Sequence, residues 1–550
     1  VGVAATTCSY TDWYDADLIV FFGSNPANDQ PVSTKYLHEA RRRGARVAMV
    51  NAYREPGMER YWIPSTPDSA LFGTKLTDSW FQVKVGGDLA FLNAVQRRLI
   101  ERGDLAADFI EQATENFETY RAELFEQPFE ALLEIAGIDA QALEAFVDEV
   151  ARAERAVFVW SMGITQHTHG GDTVRAICNL GLLREAVGRQ GTGLMPIRGH
   201  SGVQGGAEMG AYATAFPGGV TIDADTARHF SGLWGFDVPS EPGLTTVDAL
   251  EAAHAGELDA YWLIGGNFLE TMPQPKRIED ALASIGLRVH TDLFMTTQML
   301  VEPADVAFIL PARTRYEQRG GGTETSTERR VIYSPEIPRN DIGEARGEWE
   351  LLLDLARAAK PEAYDRVHFE DGAAIRADIE RANPAYKGIA ALSQQGDQFQ
   401  WGGPHLCANR AFPTASGKAS FRPVRPPQLD LDPEVLRAWP FLIATRRGKQ
   451  FNSMVQKEVD QLTGAGRDHI FMHPDDATEL GLAADAPILL ESPHGTYEGR
   501  VFLADVARGT LQGHWPEVNV LLPSDRIDPF GGVPDYNARV RVAKASPAGV

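Results

Sequence analysis

The chain has 550 residues, 43% of them hydrophobic and 23% charged, with a formal net charge of −23. Single hydrophobic cores stop growing near ~250–300 residues, so three or four domains are expected. The acidic balance argues against nucleic acid or an anionic membrane as the main partner, and no run approaches the ~18 apolar residues of a membrane-spanning helix.

The start, Val1-Gly2-Val3-Ala4-Ala5-Thr6-Thr7-Cys8, has neither the basic region nor the apolar stretch of a signal peptide. Cys8, Cys178 and Cys407 are far apart and form no CxxC pair. They cannot supply the four soft ligands of an ordinary iron–sulfur cluster or structural zinc, and they imply no disulfide framework. A cytoplasmic location is expected.

In chain order, Asp17–Phe22 is a continuous apolar run, as in a strand buried on both faces of a parallel sheet. Gly23-Ser24-Asn25-Pro26 turns the chain, a helix is predicted from Ser33 to Arg43, and Arg46–Asn51 is the second strand of a βαβ unit. Helices are predicted at Ala90–Glu101 and Ala140–Arg152. Arg155–Trp160 is the next buried strand, running into Ser161-Met162-Gly163 and a helix over Asp172–Ala186. The theme recurs at Asp259–Ile264, Gly265-Gly266-Asn267 and a helix over Pro275–Gly286, followed by strands at Val289–Asp292 and Val306–Pro311.

The polar segment from Gln394 to Pro427 looks like a linker. Beyond it, short strands at Pro440–Thr445, Pro487–Ser492, Tyr497–Leu503 and Ala538–Val542 read as a C-terminal β-barrel. The domains expected are an α/β dinucleotide-type unit over 1–190, a second α/β unit with a glycine-rich loop over 191–427, and the barrel over 428–550.

In open α/β sheets ligands bind at the carboxyl ends of strands, where the turns lead into helices. Three glycine turns there favour a large ligand with several phosphates, since glycine lets backbone N–H groups approach them. None matches GxGxxG or the P-loop. Residues 191–210 carry seven glycines, too many for a helix or a stable strand, interleaved with Arg198, His200, Gln204 and Glu208. Arg198 suits a bidentate clamp on a carboxylate or phosphate, and His200 a proton transfer near neutral pH. Arg315–Arg330 is a second such stretch, open equally to a functional loop and to a solvated one. Thr445–Asn452 and Pro534–Asn537 put basic and amide groups at barrel strand ends, which suggests an anionic ligand there.

The ordered set Gly23-Ser24-Asn25-Pro26-Ala27, Arg198–Gly205, Gly265-Gly266-Asn267, Ala304-Asp305-Val306 with Leu310-Pro311-Ala312, and Thr445-x-Arg447 resembles the molybdopterin oxidoreductases that bind two molybdopterin guanine dinucleotides. The likeness is greatest to the formate dehydrogenase H type and a related, less characterised group of alpha subunits. It implies two Rossmann-like α/β domains with mostly parallel sheets, a C-terminal double-psi β-barrel, and molybdenum or tungsten in the cofactor. It implies that Gly23, Asn25, Asn51 and Gly163 line one dinucleotide half-site. Gly265, Asn267 and Asp292 would line the other, with Gln204 in the loop and Thr445, Arg446, Asn452, His514 and Asn537 closing over the pterins.

By the same likeness Arg198 orients formate, and His200 stands where the family's nearest members carry an amide. The family's cysteine or selenocysteine metal ligand and its 4Fe-4S cysteines fall in an N-terminal segment expected to be missing here, so no metal ligand is assigned. The function implied is two-electron oxidation of a small oxyanion such as formate, with an electron-transfer protein as partner. The alternatives are a relative without formate activity, acting in oxyanion reduction or stress tolerance, and a non-catalytic scaffold subunit.

Overall fold

The computed structural model describes residues 1–63, 66–198, 202–337, 342–448 and 457–545. The fold is α/β with mostly parallel sheets and a closed C-terminal barrel. It divides into one unit made of Val1–Ile197 with Pro404–Val550, and a second made of Arg198–Gly403.

The first unit is built on a five-stranded parallel sheet in the order Ser79–Gln82, Arg46–Asn51, Leu18–Phe22, Ala156–Trp160, Gly193–Pro196. Leu18–Phe22 and Ala156–Trp160 are buried along their whole length, which explains why both are continuous apolar runs. Helices cover both faces. Asp88–Arg102 and Ala140–Arg152 close one side, with Phe146 edge-on to Phe81 at 4.9 Å. Ser33–Arg42 closes the other. The strand order reverses between Leu18–Phe22 and Ala156–Trp160, so the crevice of a doubly wound sheet falls at their carboxyl ends.

The same unit contains the barrel. Its closed circuit is Phe441–Arg446, Thr510–His514, His469–Met472, Thr496–Leu503, Pro487–Glu491 and Asn537–Lys544. Two neighbouring pairs in it are parallel and the rest antiparallel. Ile443, Ile470, Ile488, Val501, Leu511 and Val540 fill it. Gln82 Nε2 donates to the Asp505 carbonyl at 2.8 Å and Ala507 N to the Ala52 carbonyl at 2.7 Å, so the barrel is hydrogen-bonded to the sheet's carboxyl edge.

The second unit carries a three-stranded parallel sheet, Ala260–Ile264, Leu287–Asp292 and Val306–Pro311. It also carries an antiparallel sheet, Gly322–Thr325, Arg330–Ser334 and Gln398–Gln400.

Three expectations are corrected. The glycine-rich stretch does form regular structure: Gly193–Pro196 is an edge strand and Val203–Glu208 a short helix. Gly193 is required in the strand because a Cβ there would lie 2.1 Å from Cys8 Sγ, and Gly202 takes the positive φ of 83° that starts the helix. The 315–330 segment, read as a loop of either kind, includes the strand Gly322–Thr325. The supposed linker is packed: Phe421 is buried against Tyr120 at 5.0 Å, and the Val424 carbonyl accepts from Asn93 Nδ2 and Gln127 Nε2. A few apolar side chains, with buried amides serving the strap's carbonyl, hold a sequence whose composition reads as loose.

Candidate functional site

At the switch point the turns after Leu18–Phe22 and Ala156–Trp160 touch. Gly163 N donates to the Gly23 carbonyl at 3.1 Å. A Cβ on Gly163 would meet that carbonyl oxygen at 2.5 Å, and one on Gly23 would meet the Gly163 carbonyl carbon at 2.8 Å. Gly23 also has φ of 50°. Both glycines are therefore required for the close crossing, which brings Ser24, Asn25, Ser161 and Met162 to the rim of one cleft. From the sequence-derived set the cleft collects Gly23, Asn25, Asn51, Gly163, Thr445, Arg446 and Asn537.

His514, also in this unit, stands apart from the cleft lining. It is buried beside Arg446 on the paired strand, edge-on to Phe471 at 5.7 Å. Burial, with Arg446 and Arg467 nearby, lowers its pKa to about 3 and keeps it neutral. Gln204, Gly265, Asn267 and Asp292 belong to the second unit, as does Arg198. His200 and Asn452 lie outside the described residues.

The two arginines at the barrel strand end differ. Arg446 is buried, with Nη1 at 3.3 Å from Glu55 Oε1, Nη2 at 4.0 Å from Asp460, and Phe471 4.3 Å below its guanidinium. Burial opposes its charge, but Glu55, Tyr53 and Asp460 outweigh that and raise its pKa. Burial likewise raises the Glu55 carboxyl against the pull of Arg446. Arg447 instead lies between Trp515 at 4.7 Å and Tyr536 at 5.3 Å, and donates to Gln166 Oε1 and Thr445 Oγ1. Burial lowers its pKa. No carboxylate lies within ion-pair distance of it among the described residues, so its charge is open to an anion.

The cleft holds further groups that the sequence did not single out. His167 accepts from Asn537 Nδ2 at 3.0 Å and holds Gly163 O at 3.1 Å through Nε2; burial lowers its pKa to about 4. Asp88, at the start of the Asp88–Arg102 helix, is buried, and desolvation pushes its carboxyl up to about 7. Ser24 Oγ and Asn25 Oδ1 are buried without a hydrogen-bond partner among the described residues. Orphaned acceptors, a compressed glycine crossing, and a cation and a carboxyl that make no ion pair with a described residue fit a polar, phosphate-bearing ligand with N–H donors of its own.

In the second unit, Gly265 and Asn267 share a turn at the carboxyl end of Ala260–Ile264, and Asp292 ends the neighbouring strand. Gly265 N donates to the Thr291 carbonyl at 2.8 Å, Asn267 Nδ2 donates to Thr297 Oγ1 at 2.8 Å, and Asp292 Oδ1 caps Leu293 N. Buried Asn267 Oδ1 has no partner among the described residues, as with Asn25. Elsewhere in this unit Arg198 donates through Nε to Gln204 Oε1 at 2.6 Å, and its amide donates to Thr327 Oγ1 at 3.2 Å.

The molybdopterin oxidoreductase family model matches residues 1–358, and the molybdopterin dinucleotide binding domain matches residues 441–540. Protein YdeP of Escherichia coli (strain K12) is 28% identical over 98% of this chain and 73% of its own length. The alpha subunit of the F420-dependent formate dehydrogenase of Methanocaldococcus jannaschii is 27% identical over 97% of this chain and 77% of its own. Among solved structures, acetylene hydratase from Pelobacter acetylenicus superposes with a TM-score of 0.68 at 18% identity, covering 99% of this chain and 80% of that one, which is a likeness of fold.

Proposed function

Because this chain belongs to the molybdopterin oxidoreductase family, we propose that it is a formate dehydrogenase-like enzyme, binding a bis-molybdopterin guanine dinucleotide of molybdenum or tungsten and oxidising formate or a similar small oxyanion. The likeness to a formate dehydrogenase alpha subunit along nearly the whole chain supports the reaction class. The observation that carries the substrate reading is Arg198, its guanidinium oriented by a buried amide.

The two strand-end clusters divide the work of binding. Ser24 Oγ and the Arg447 guanidinium would donate to phosphate oxygens, Asn25 Oδ1 would accept from a ribose hydroxyl, and Gly265 and Asn267 would play the equivalent part in the second unit. Asp88 would accept the paired N–H donors of a guanine edge, two donors side by side on one carboxylate. When bound, the cofactor supplies the two-electron acceptor that none of these side chains provides. Arg198 takes the formate carboxylate in a planar, two-pronged contact and offsets its charge. Formate loses two electrons and one proton to become carbon dioxide, and an electron-transfer protein is the expected recipient of the electrons.

The test uses protein loaded in a host that makes the cofactor. Molybdenum or tungsten should co-purify, and formate should reduce a viologen dye. Arg198→Ala should keep its metal and lower kcat/KM for formate by about 100-fold or more, the scale of a lost charge-assisted contact to a bound anion. Metal-free protein, or an Arg198→Ala variant as active as the parent, would refute the reading. A panel of oxyanion substrates separates it from a relative without formate activity.

A further inference from the structure

Arg198 is one end of a chain of hydrogen bonds whose polarity is fixed from both sides. Gln204 and Glu208 lie four residues apart on the Val203–Glu208 helix and so share a face. Arg198 Nε donates to Gln204 Oε1 at 2.6 Å, and Gln204 Nε2 donates to Glu208 Oε1. The other carboxylate oxygen, Glu208 Oε2, accepts from the Tyr386 hydroxyl and from Trp401 Nε1 at 3.1 Å. Thr325 Oγ1 stands 2.7 Å from the Tyr386 oxygen and completes the chain.

An arginine Nε and an indole N–H only donate. Gln204 must therefore turn its oxygen to Arg198 and its NH2 to Glu208, and Glu208 must present an acceptor at both oxygens. The carboxylate form satisfies every member, with Tyr386 and Trp401 donating to one oxygen and Gln204 to the other. Its surroundings hold it still: Gln204 is 2% exposed and Tyr386 2% exposed. A Cβ on Gly205 would meet Thr325 Oγ1 at 2.9 Å, so the helix is pressed onto the strand Gly322–Thr325 that carries the last link. The Glu208 carbonyl is also pinned, accepting from Gly218 N at 2.7 Å. Burial raises the Glu208 pKa against the donors of Tyr386, Gln204 and Trp401.

We infer that Glu208 is a positioning residue for the substrate clamp: its carboxylate fixes the amide orientation of Gln204, and through it the plane of the Arg198 guanidinium. This rests on the reading of Arg198 as the clamp. Glu208 touches neither substrate nor cofactor in this role.

The polarity argument gives a rescue test. Glu208→Gln keeps the shape, but with its oxygen held by Tyr386 and Trp401 it aims an NH2 at the NH2 of Gln204. The amide of Gln204 must then flip and face Arg198 Nε donor to donor. Exchanging the two, Gln204→Glu together with Glu208→Gln, restores the order: a carboxylate at 204 accepts from Arg198, and the amide at 208 donates to it.

KM and kcat for formate are measured on the loaded full chain. A second readout without turnover is the formate concentration needed for half of the thermal-shift response. Glu208→Gln should raise KM and the half-response concentration about tenfold, the cost of one misdirected charge-assisted bond, with kcat within about twofold. The exchanged pair should return both to within about threefold of the parent. If Arg198→Ala is impaired while Glu208→Gln matches the parent, the positioning role fails and the clamp stands. An exchanged pair no better than Glu208→Gln also overturns the positioning role. If Arg198→Ala itself matches the parent, both fall together.

Discussion

Asp88 shows how a candidate ligand site is written into a single residue's energetics. Its carboxyl is buried at the cleft with no counter-charge among the described residues and is pushed up to about 7. A raised acid contributes stability that is complete below its unfolded value of 3.8 and lost as pH rises through the folded value. Asp88→Asn should therefore stabilise the cofactor-free protein at pH 8, by on the order of 2 kcal/mol, and lose that advantage near pH 4. Urea denaturation at the two pH values measures it, and a pH-independent difference would contradict it. The same variant should retain less cofactor, since stability and binding pull opposite ways at such a site. The arginines diverge as sharply. Arg446→Gln strands the buried Glu55 and Asp460 and should cost about 3–5 kcal/mol. Arg447→Gln breaks no ion pair with a described residue and should instead lower metal and pterin content, read by elemental analysis and fluorescence. The sequence pointed to Arg446 because adjacent arginines are indistinguishable in a string. Only the three-dimensional position of Glu55 separates the paired charge from the open one.

At the scale of elements, legibility follows burial. Leu18–Phe22, Arg46–Asn51 and Ala156–Trp160 were readable because strands covered on both faces must be apolar throughout. Gly193–Pro196, His469–Met472 and Thr510–His514 were not, because each mixes glycine, proline or histidine into positions whose burial is set by distant partners. The candidate site divides the same way: its glycine turns were visible, while Asp88, Glu55 and His167 look like ordinary polar residues until the barrel covers the sheet edge. The barrel strand Thr510–His514 carries a measurable consequence. His514 is held neutral with a folded pKa of about 3 against an ordinary 6.5. Its contribution is complete above pH 6.5 and is lost as pH falls toward 3, the unfolded chain binding the extra proton. His514→Gln should flatten the decline in stability between pH 6.5 and 4 by up to one proton's worth of slope. Parallel slopes for variant and parent would show that the ring titrates normally.

At the scale of the whole chain, the second unit is an insertion in the first. Thr7 N donates to the Leu194 carbonyl at 3.0 Å and Leu406 N donates to the Thr7 carbonyl at 2.9 Å, so the segment leaving the first unit and the segment returning to it meet on one backbone stretch. Short closures of this kind carry a small loop entropy, which grows only logarithmically with the length they replace. The first unit also owns its cores: the apolar clusters around Phe22 and Phe146, around Trp13 and Met49, and within the barrel draw their buried members from residues 1–197 and 404–550 alone. The clusters around Tyr386 and around Phe230 belong to the inserted unit. Replacing residues 198–403 by a short Gly-Ser bridge should therefore leave a chain that melts cooperatively and keeps near-UV signals from Trp13 and Trp160, both buried in it. That chain should lack formate binding, because Arg198, Gln204 and Glu208 go with the excised segment. Calorimetry decides the first point: a broad, dye-binding transition would mean that the first unit depends on the second for its packing. Formate titration decides the second, since retained binding would move the substrate contact away from Arg198.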